Sequence, residues 1–299
     1  MPRRSIEGLP KPTKRFRPDL VNESSDGKVR FETKGAAKKE DGRRCRGLVF
    51  YLKRNGSDLT SEELKRIRRL IKRIKHGISP ASAVYMRKHR IRIGGHLWKE
   101  IATYAGPVST FTIIPKSWEF AAGQLHKADP SLLLERLRQS LIRAGALGTG
   151  GWLFLGVHGE YEPSTGVYRL HGHGCAFGSM IKVVDRLRKR ADYKSVRSQS
   201  TPDPVFRRLR MSRKPLSDLP NPLTYTVQSF WPSKAVYELM PGDTRRQLEK
   251  HRIKEPRHTE VLLWLDSFRL HDLTLLMGRR VTKSGLQENR KTYSNGVVS

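Results

Sequence analysis

Five apolar residues, Leu64, Ile67, Leu70, Ile71 and Ile74, recur at the three- and four-residue steps that place side chains on one face of a helix. Lys65, Arg66, Arg68, Arg69, Lys72, Arg73 and Lys75 fill the other faces. Thr60 and Glu63 have capping-box spacing at its start, and Gly77 stops it. Asp129 followed by Pro130 opens a second helix with Leu134, Leu137 and Leu141 as its buried stripe. A third, over residues 179–191, turns Met180, Val183, Val184 and Leu187 inward. Between these helices the period changes. Residues 108–114 (VSTFTII) are β-branched and aromatic and stop at Pro115, which predicts a strand. Two more strands, 152–162 and 167–177, flank the turn residues Pro163, Ser164, Thr165 and Gly166. Shorter patterns predict strands at 47–55 and 204–211, helical pieces over 80–105 and a short helix at 222–230. The last 60 residues read as helical, clearest over 260–277, with a loose polar tail after Gly285.

This order predicts an α+β fold: an antiparallel sheet with helices packed on one face, and helical N- and C-terminal extensions. The expected divisions are a basic disordered arm (1–46), a basic helical region (47–105), an α+β core (106–236) and a C-terminal helical region (237–299).

The hairpin carries the chemistry. Residues two apart in a strand face the same way, so His171 and His173 project together, as do His158 and Glu160. If Glu162 pairs with Val167 across the turn, His158 lies opposite His171, Gly156 opposite His173, and Glu160 opposite Arg169, an ion pair beside the site. Paired Cβ atoms stand roughly 4.5–5.5 Å apart, so three imidazoles would converge. Glycines at 156, 172 and 174 leave space around them. Three imidazoles suit a divalent metal; the alternative is a polar, solvent-facing patch. The pattern has no HExxH helix and no Cys-rich knuckle, which disfavours a metalloprotease or a zinc finger. Cys175 sits one step along the same face and reads as a packed thiol, while Tyr161 and Tyr168 alternate away.

Charge narrows the partner. Lys and Arg total 59 against 28 Asp and Glu, a net +31, which calls for a polyanion, nucleic acid above all. No apolar run approaches the roughly 18 residues of a membrane helix, and no apolar stretch follows the basic N-terminus to make a secretory signal. Two unrelated cysteines, Cys45 and Cys175, suit a reducing cytoplasm, the expected location. The helix at 61–76 reads as a solvated helix on one apolar stripe, as a helix along a phosphate backbone, or as one lying on a membrane surface.

In this setting the chain resembles the HUH endonuclease superfamily, which includes the rolling-circle replication initiators of plasmids and phages. The family's first motif resembles the TFTIIP stretch at 110–115. The second, a strand carrying two histidines one residue apart, matches His171-Gly172-His173, and the third, a helix with a nucleophilic tyrosine, is similar to LTYTVQSFW at 223–231. The resemblance covers residues 106–236. It implies a ferredoxin-like sheet with a metal site on its open face, Tyr225 as nucleophile, and His158, His171 and His173 as ligands of Mg or Mn, with Zn as an option. It implies DNA nicking and strand transfer through a phosphotyrosine intermediate on single-stranded DNA. Two positions depart from the pattern: Gly172 stands where the family has a bulky residue, and Gln228 and Ser229 stand where a lysine follows the tyrosine. Lys234 is the nearest substitute.

Arg186, Arg188, Lys189 and Arg190, and Arg207, Arg208 and Arg210, flank this region as candidate phosphate contacts, with Trp231 as a step on which a base could stack. No P-loop is present, so strand separation would need a separate, host helicase. The alternatives are a catalytically degenerate nucleic-acid binder on the same sheet and an unrelated three-histidine metal hydrolase.

Overall fold

The computed structural model describes residues 5–21, 31–195, 207–212, 216, 218–228, 230–240, 243–246, 249 and 251–289. Three helices come first: α1 (Lys34–Asn55), α2 (Ser61–Lys75) and α3 (Ala83–Thr103). There follow β1 (Val108–Ile113), β2 (Glu119–Ala121), α4 (Pro130–Arg143), β3 (Gly151–Glu162), β4 (Val167–Gly178), α5 (Met180–Arg186), β5 (Leu209–Met211) and α6 (Asn221–Thr224). The remainder comprises β6 (Pro232–Ser233), β7 (Val236–Met240), β8 (Asp243–Arg246), β9 (His251–Arg252), α7 (Arg257–Asp266), β10 (Thr274–Met277), β11 (Arg279–Thr282) and β12 (Gly285–Glu288).

The fold is α+β. Its main sheet is curled into a half-barrel with the strand order β5-β1-β4-β3-β6-β9, and β10 pairs with β3 while β2 pairs with β4. The long β3–β4 hairpin forms its centre in the expected register, with His158 opposite His171, Gly156 opposite His173 and Glu160 opposite Arg169. Register is strongly specified here because both faces are buried and a one-residue slip would exchange them. β1 adds antiparallel to β4, with Thr112 opposite His173, and β5 adds to β1, with Arg210 opposite Thr112. The sheet is mixed, because β6 runs parallel to β3 at Tyr161 and Ser233.

The local signals for the major helices hold. Thr60 and Glu63 make a reciprocal capping box, and Ile67, Leu70, Ile71 and Ile74 are buried. The Asp129 carboxylate accepts from the backbone N–H groups of Ser131 and Leu132, and Leu134, Leu137 and Leu141 are buried. Met180, Val183, Val184 and Leu187 also face inward.

Several expectations are corrected. Helices cover both faces of the sheet. One face packs on α1, α2, α4, α5 and α7 in a core running from Cys45 to Met277; the other packs Trp152, Phe154, Cys175 and Phe177 against Met86, Ile93 and Leu97 of α3. Residues 47–55 form the end of α1: their apolar run fits a strand in isolation, but Cys45 and Leu48 continue a helical stripe begun by Ala37, Asp41 and Arg44. The stretch expected as a loose arm buries Ile6 and Leu9 in the second core. The C-terminal region is helical in α7, which holds the first part of the expected 260–277 helix, and otherwise contributes the short strands β7 to β12 among its described residues. Its apolar 274–277 segment completes an edge of β3, and β11 pairs with β12. Most of the expected tail, residues 290–299, lies outside the described residues. No helix among the described residues is long and apolar enough to cross a membrane.

Candidate functional site

Strand alternation places Gly156, His158 and Glu160 of β3 on the same sheet face as Arg169, His171 and His173 of β4, Thr112 of β1 and Arg210 of β5. The three imidazoles converge. Ring centroids lie 5.0 Å apart for His158–His173, 4.9 Å for His171–His173 and 5.9 Å for His158–His171. His158 and His171 are buried, and His173 is partly exposed.

Hydrogen bonds orient two of the rings. His171 Nδ1 lies 3.2 Å from the Arg169 carbonyl oxygen, which can only accept, so Nδ1 carries the proton and Nε2 of the neutral ring keeps its lone pair. His173 Nδ1 lies 2.8 Å from Thr112 Oγ1. Outer hydrogen bonds of this kind commonly fix the tautomer of a metal-binding histidine. Among the described residues, however, no group of three or more His, Cys, Asp or Glu side chains stands ready to hold a metal ion in its present arrangement.

Tyr225 comes to the histidines over Gly156. An added Cβ at Gly156 would stand 2.0 Å from the Thr226 carbonyl oxygen, so this glycine lets the chain after α6 settle directly on the sheet. Arg90 of α3 also holds the segment, its Nε donating to the Thr224 carbonyl at 3.3 Å while Nη1 pairs with Glu32 at 2.6 Å. The expected helix at 222–230 is the single turn α6, and Tyr225 is its C-terminal cap, 49% exposed. Pro222 sits in the first turn, where its missing N–H costs nothing.

Tyr225 lies between two clefts. One, of about 240 Å³, is lined by all three histidines, Glu160, Thr112, Arg210, Gln228 and Lys234. The other, of about 370 Å³, shares Thr112, His173, Arg210 and Tyr225 and continues past Thr110, Ser212 and Pro222. Lys234 therefore reaches the cleft although it is nine positions beyond the tyrosine; its backbone N–H donates to the Tyr161 carbonyl, fixing its place beside β3.

The other candidates divide. Arg169 ion-pairs with Glu162, diagonal to it, and with Glu119 at 3.6 Å. Arg208 is buried and tied to the Ile114 carbonyl and to Glu119, a structural post. Arg188 binds Asp185 and the Leu209 carbonyl, and Arg186 donates to the Ala144 carbonyl. Lys189 and Arg207 are exposed and Arg190 is partly so. Trp231 does not belong to this site. It is buried on the opposite face, over Gly159 and 5.2 Å from Trp264, so the base-stacking role is withdrawn. Gly172 and Gly174 also serve that opposite face, where Leu155 and Phe111 fill the space over them. Cys175 packs in the apolar part of the histidine face, where burial pushes its thiol up to about 12.

Sequence reasoning missed Thr112 and Arg90. Thr112 was legible as a strand residue, but its pairing with His173 depends on which strand lies beside β4. Nothing local marks Arg90. No family model, curated protein or solved structure matches the chain.

Proposed function

We propose that the chain is a metal-dependent nicking and strand-transfer enzyme for single-stranded DNA, with Tyr225 as nucleophile, similar in mechanism to the HUH endonucleases of rolling-circle replication. The observation that carries this reading is the meeting of Tyr225 with His158, His171 and His173 in one cleft, from segments far apart in the chain. The antiparallel centre β1–β4–β3 accords with a ferredoxin-like sheet of that family, and the parallel β6 is a departure from it.

In the proposed reaction the Tyr225 phenol oxygen attacks the scissile phosphorus. A tyrosyl O–P bond forms, the P–O3′ bond breaks, and the phenolic proton is accounted for by the released 3′-hydroxyl. The product is a 5′-phosphotyrosine, which a second 3′-hydroxyl can resolve in a strand transfer. His158, His171 and His173 would hold Mg or Mn, or Zn, and the ion would supply Lewis-acid polarisation of the phosphate. Arg210 and Lys234 line the same cleft as cations for the phosphate oxygens. Arg207, Lys189 and Arg190 are outlying phosphate contacts in this reading. A host helicase would deliver the unpaired strand.

The test is formation of a denaturation-resistant protein–DNA adduct from the full chain and single-stranded oligonucleotides drawn from the DNA neighbouring its gene, with Mn²⁺ or Mg²⁺. The adduct should require the metal and vanish in Tyr225→Phe, His171→Ala and His173→Ala. An adduct undiminished in Tyr225→Phe would remove the tyrosine from the mechanism. Salt-dependent binding without an adduct under any metal would favour a non-catalytic binder, the reading that Gln228 at the lysine position supports. Cleavage without an adduct would favour a three-histidine hydrolase.

A further inference from the structure

The face of α1 beside its buried stripe forms a groove with the end of α2, of about 710 Å³. Residues 38, 42, 45, 46, 49, 50 and 53 line it at alternating helical steps, so the groove follows one stripe of α1. From Lys38 to Lys53 that stripe is about 22 Å long, the length of four helical turns. Its middle is apolar and open to solvent: Phe50 is 61% exposed and Val49 is 41% exposed.

We infer that this groove docks an acidic amphipathic helix of a partner protein. The rim is cationic: Lys38, Arg46 and Lys53 along α1, and Lys75 facing them from α2. All four are exposed, and none takes part in an ion pair with a described residue. Among the described residues lining the groove the one carboxylate, Asp41, is buried and committed to Ser82 and the backbone N–H groups of Ala83 and Val84. An acidic helix with apolar residues at i, i+3, i+4 and i+7 meets both demands, covering Val49 and Phe50 while its carboxylates answer the rim. A second copy of this chain would bring further positive charge to a positive rim. A phosphate backbone would answer the cations but leave the apolar middle uncovered.

The probe is a fluorescein-labelled helical peptide of about 18 residues built from Glu, Ala and Leu, with Leu on one stripe, and a scrambled peptide of the same composition. Fluorescence anisotropy with the full chain at physiological salt should show the amphipathic peptide binding at least about tenfold tighter than the scramble. Phe50→Glu, at an exposed position that leaves the fold intact, should weaken that binding by about tenfold or more, and Lys53→Glu by about threefold to tenfold. Equal binding of the scramble, or an unchanged affinity in Phe50→Glu, would overturn the proposal. So would a single-stranded oligonucleotide whose affinity falls in Phe50→Glu as steeply as the peptide's, since the groove would then be a nucleic-acid site.

Discussion

One face of the β3–β4 hairpin carries two unlike halves. Toward the open end of the hairpin, Trp152, Phe154, Cys175 and Phe177 lie under α3, with Trp152 and Phe177 stacked at 3.8 Å between centroids. Toward the turn, on the same strands and with the same alternation, stand His158, Glu160, His171 and His173. Exposure alone does not separate the halves, since Phe154, His158 and Glu160 are all buried. Their covers do. A long helix closes the apolar half, whereas a few residues around Tyr225 close the polar half and leave clefts on both sides. Burying apolar area stabilises the fold directly, while burying imidazole and carboxylate groups costs free energy unless partners compensate. The apolar half therefore carries stability, and the polar half is the candidate site.

The largest expected effect breaks this division of labour in the apolar half. Phe154→Ala removes a fully buried ring and should cost about 3–5 kcal/mol in chemical denaturation. His158→Ala, at an equally buried position two residue pairs away, should change stability by about 1 kcal/mol or less while abolishing any metal-dependent rise in melting temperature. Equal losses from both substitutions would mean that the histidine half is simply more core.

Much of this face was legible because it is local. The turn Pro163–Gly166 fixes the register, the register fixes which residues oppose, and alternation fixes which share a face. What lies over the face was not legible, because it depends on segments distant in sequence. Trp231 reads as an aromatic beside a tyrosine motif, yet Gly159 draws it to the opposite side of β3. Lys234 is separated from Tyr225 by a proline and still enters the cleft, because β6 pairs alongside β3. The short apolar runs at 47–55 and 274–277 exchange their expected classes, one becoming helix and the other strand. Runs of that length lack the periodicity to decide between the two, and packing decides for them.

The second effect separates the halves by pH. His89 of α3 is buried against Tyr85, and burial, reinforced by Lys88 and Arg92 and opposed by Glu7, pushes it down to about 4. An unfolded histidine titrates near 6.5, so between pH 6.5 and about 4 the unfolded chain holds a proton that the folded chain does not. The contribution is fully present above pH 6.5 and is lost as pH falls through that window, by up to about 3 kcal/mol. Glu7 is partly buried, which raises its carboxyl, but hydrogen bonds from Tyr85 and the Leu270 N–H outweigh this and hold it low. Its contribution is full above the ordinary carboxylate range and fades as pH falls through and below that range, outside most of the histidine window. Denaturation at neutral pH and near pH 5 should show this slope in the parent chain and a shallower one in His89→Leu. An unchanged slope would place the acid sensitivity elsewhere.

The third effect falls at the boundary between the halves and should be the most informative about chemistry. Gly156 belongs to neither half: it is the position where the Thr226 carbonyl rests on the sheet between Phe154 and His158. In Gly156→Ala the new methyl group must displace that backbone, because the carbonyl oxygen cannot swing aside as a side-chain end can. Overpacking of this kind costs about 1–3 kcal/mol, and here it is relieved by lifting the segment that carries Tyr225 while the hairpin and α3 stay in place. Adduct formation should fall by about a hundredfold at temperatures where the chain remains folded, since an ångström of misplacement is enough to forfeit alignment of nucleophile and phosphate. Metal-dependent stabilisation through His158, His171 and His173 should persist, because none of these residues moves with the segment. Loss of both together would show that the histidines and the tyrosine are held by one structure rather than assembled from two.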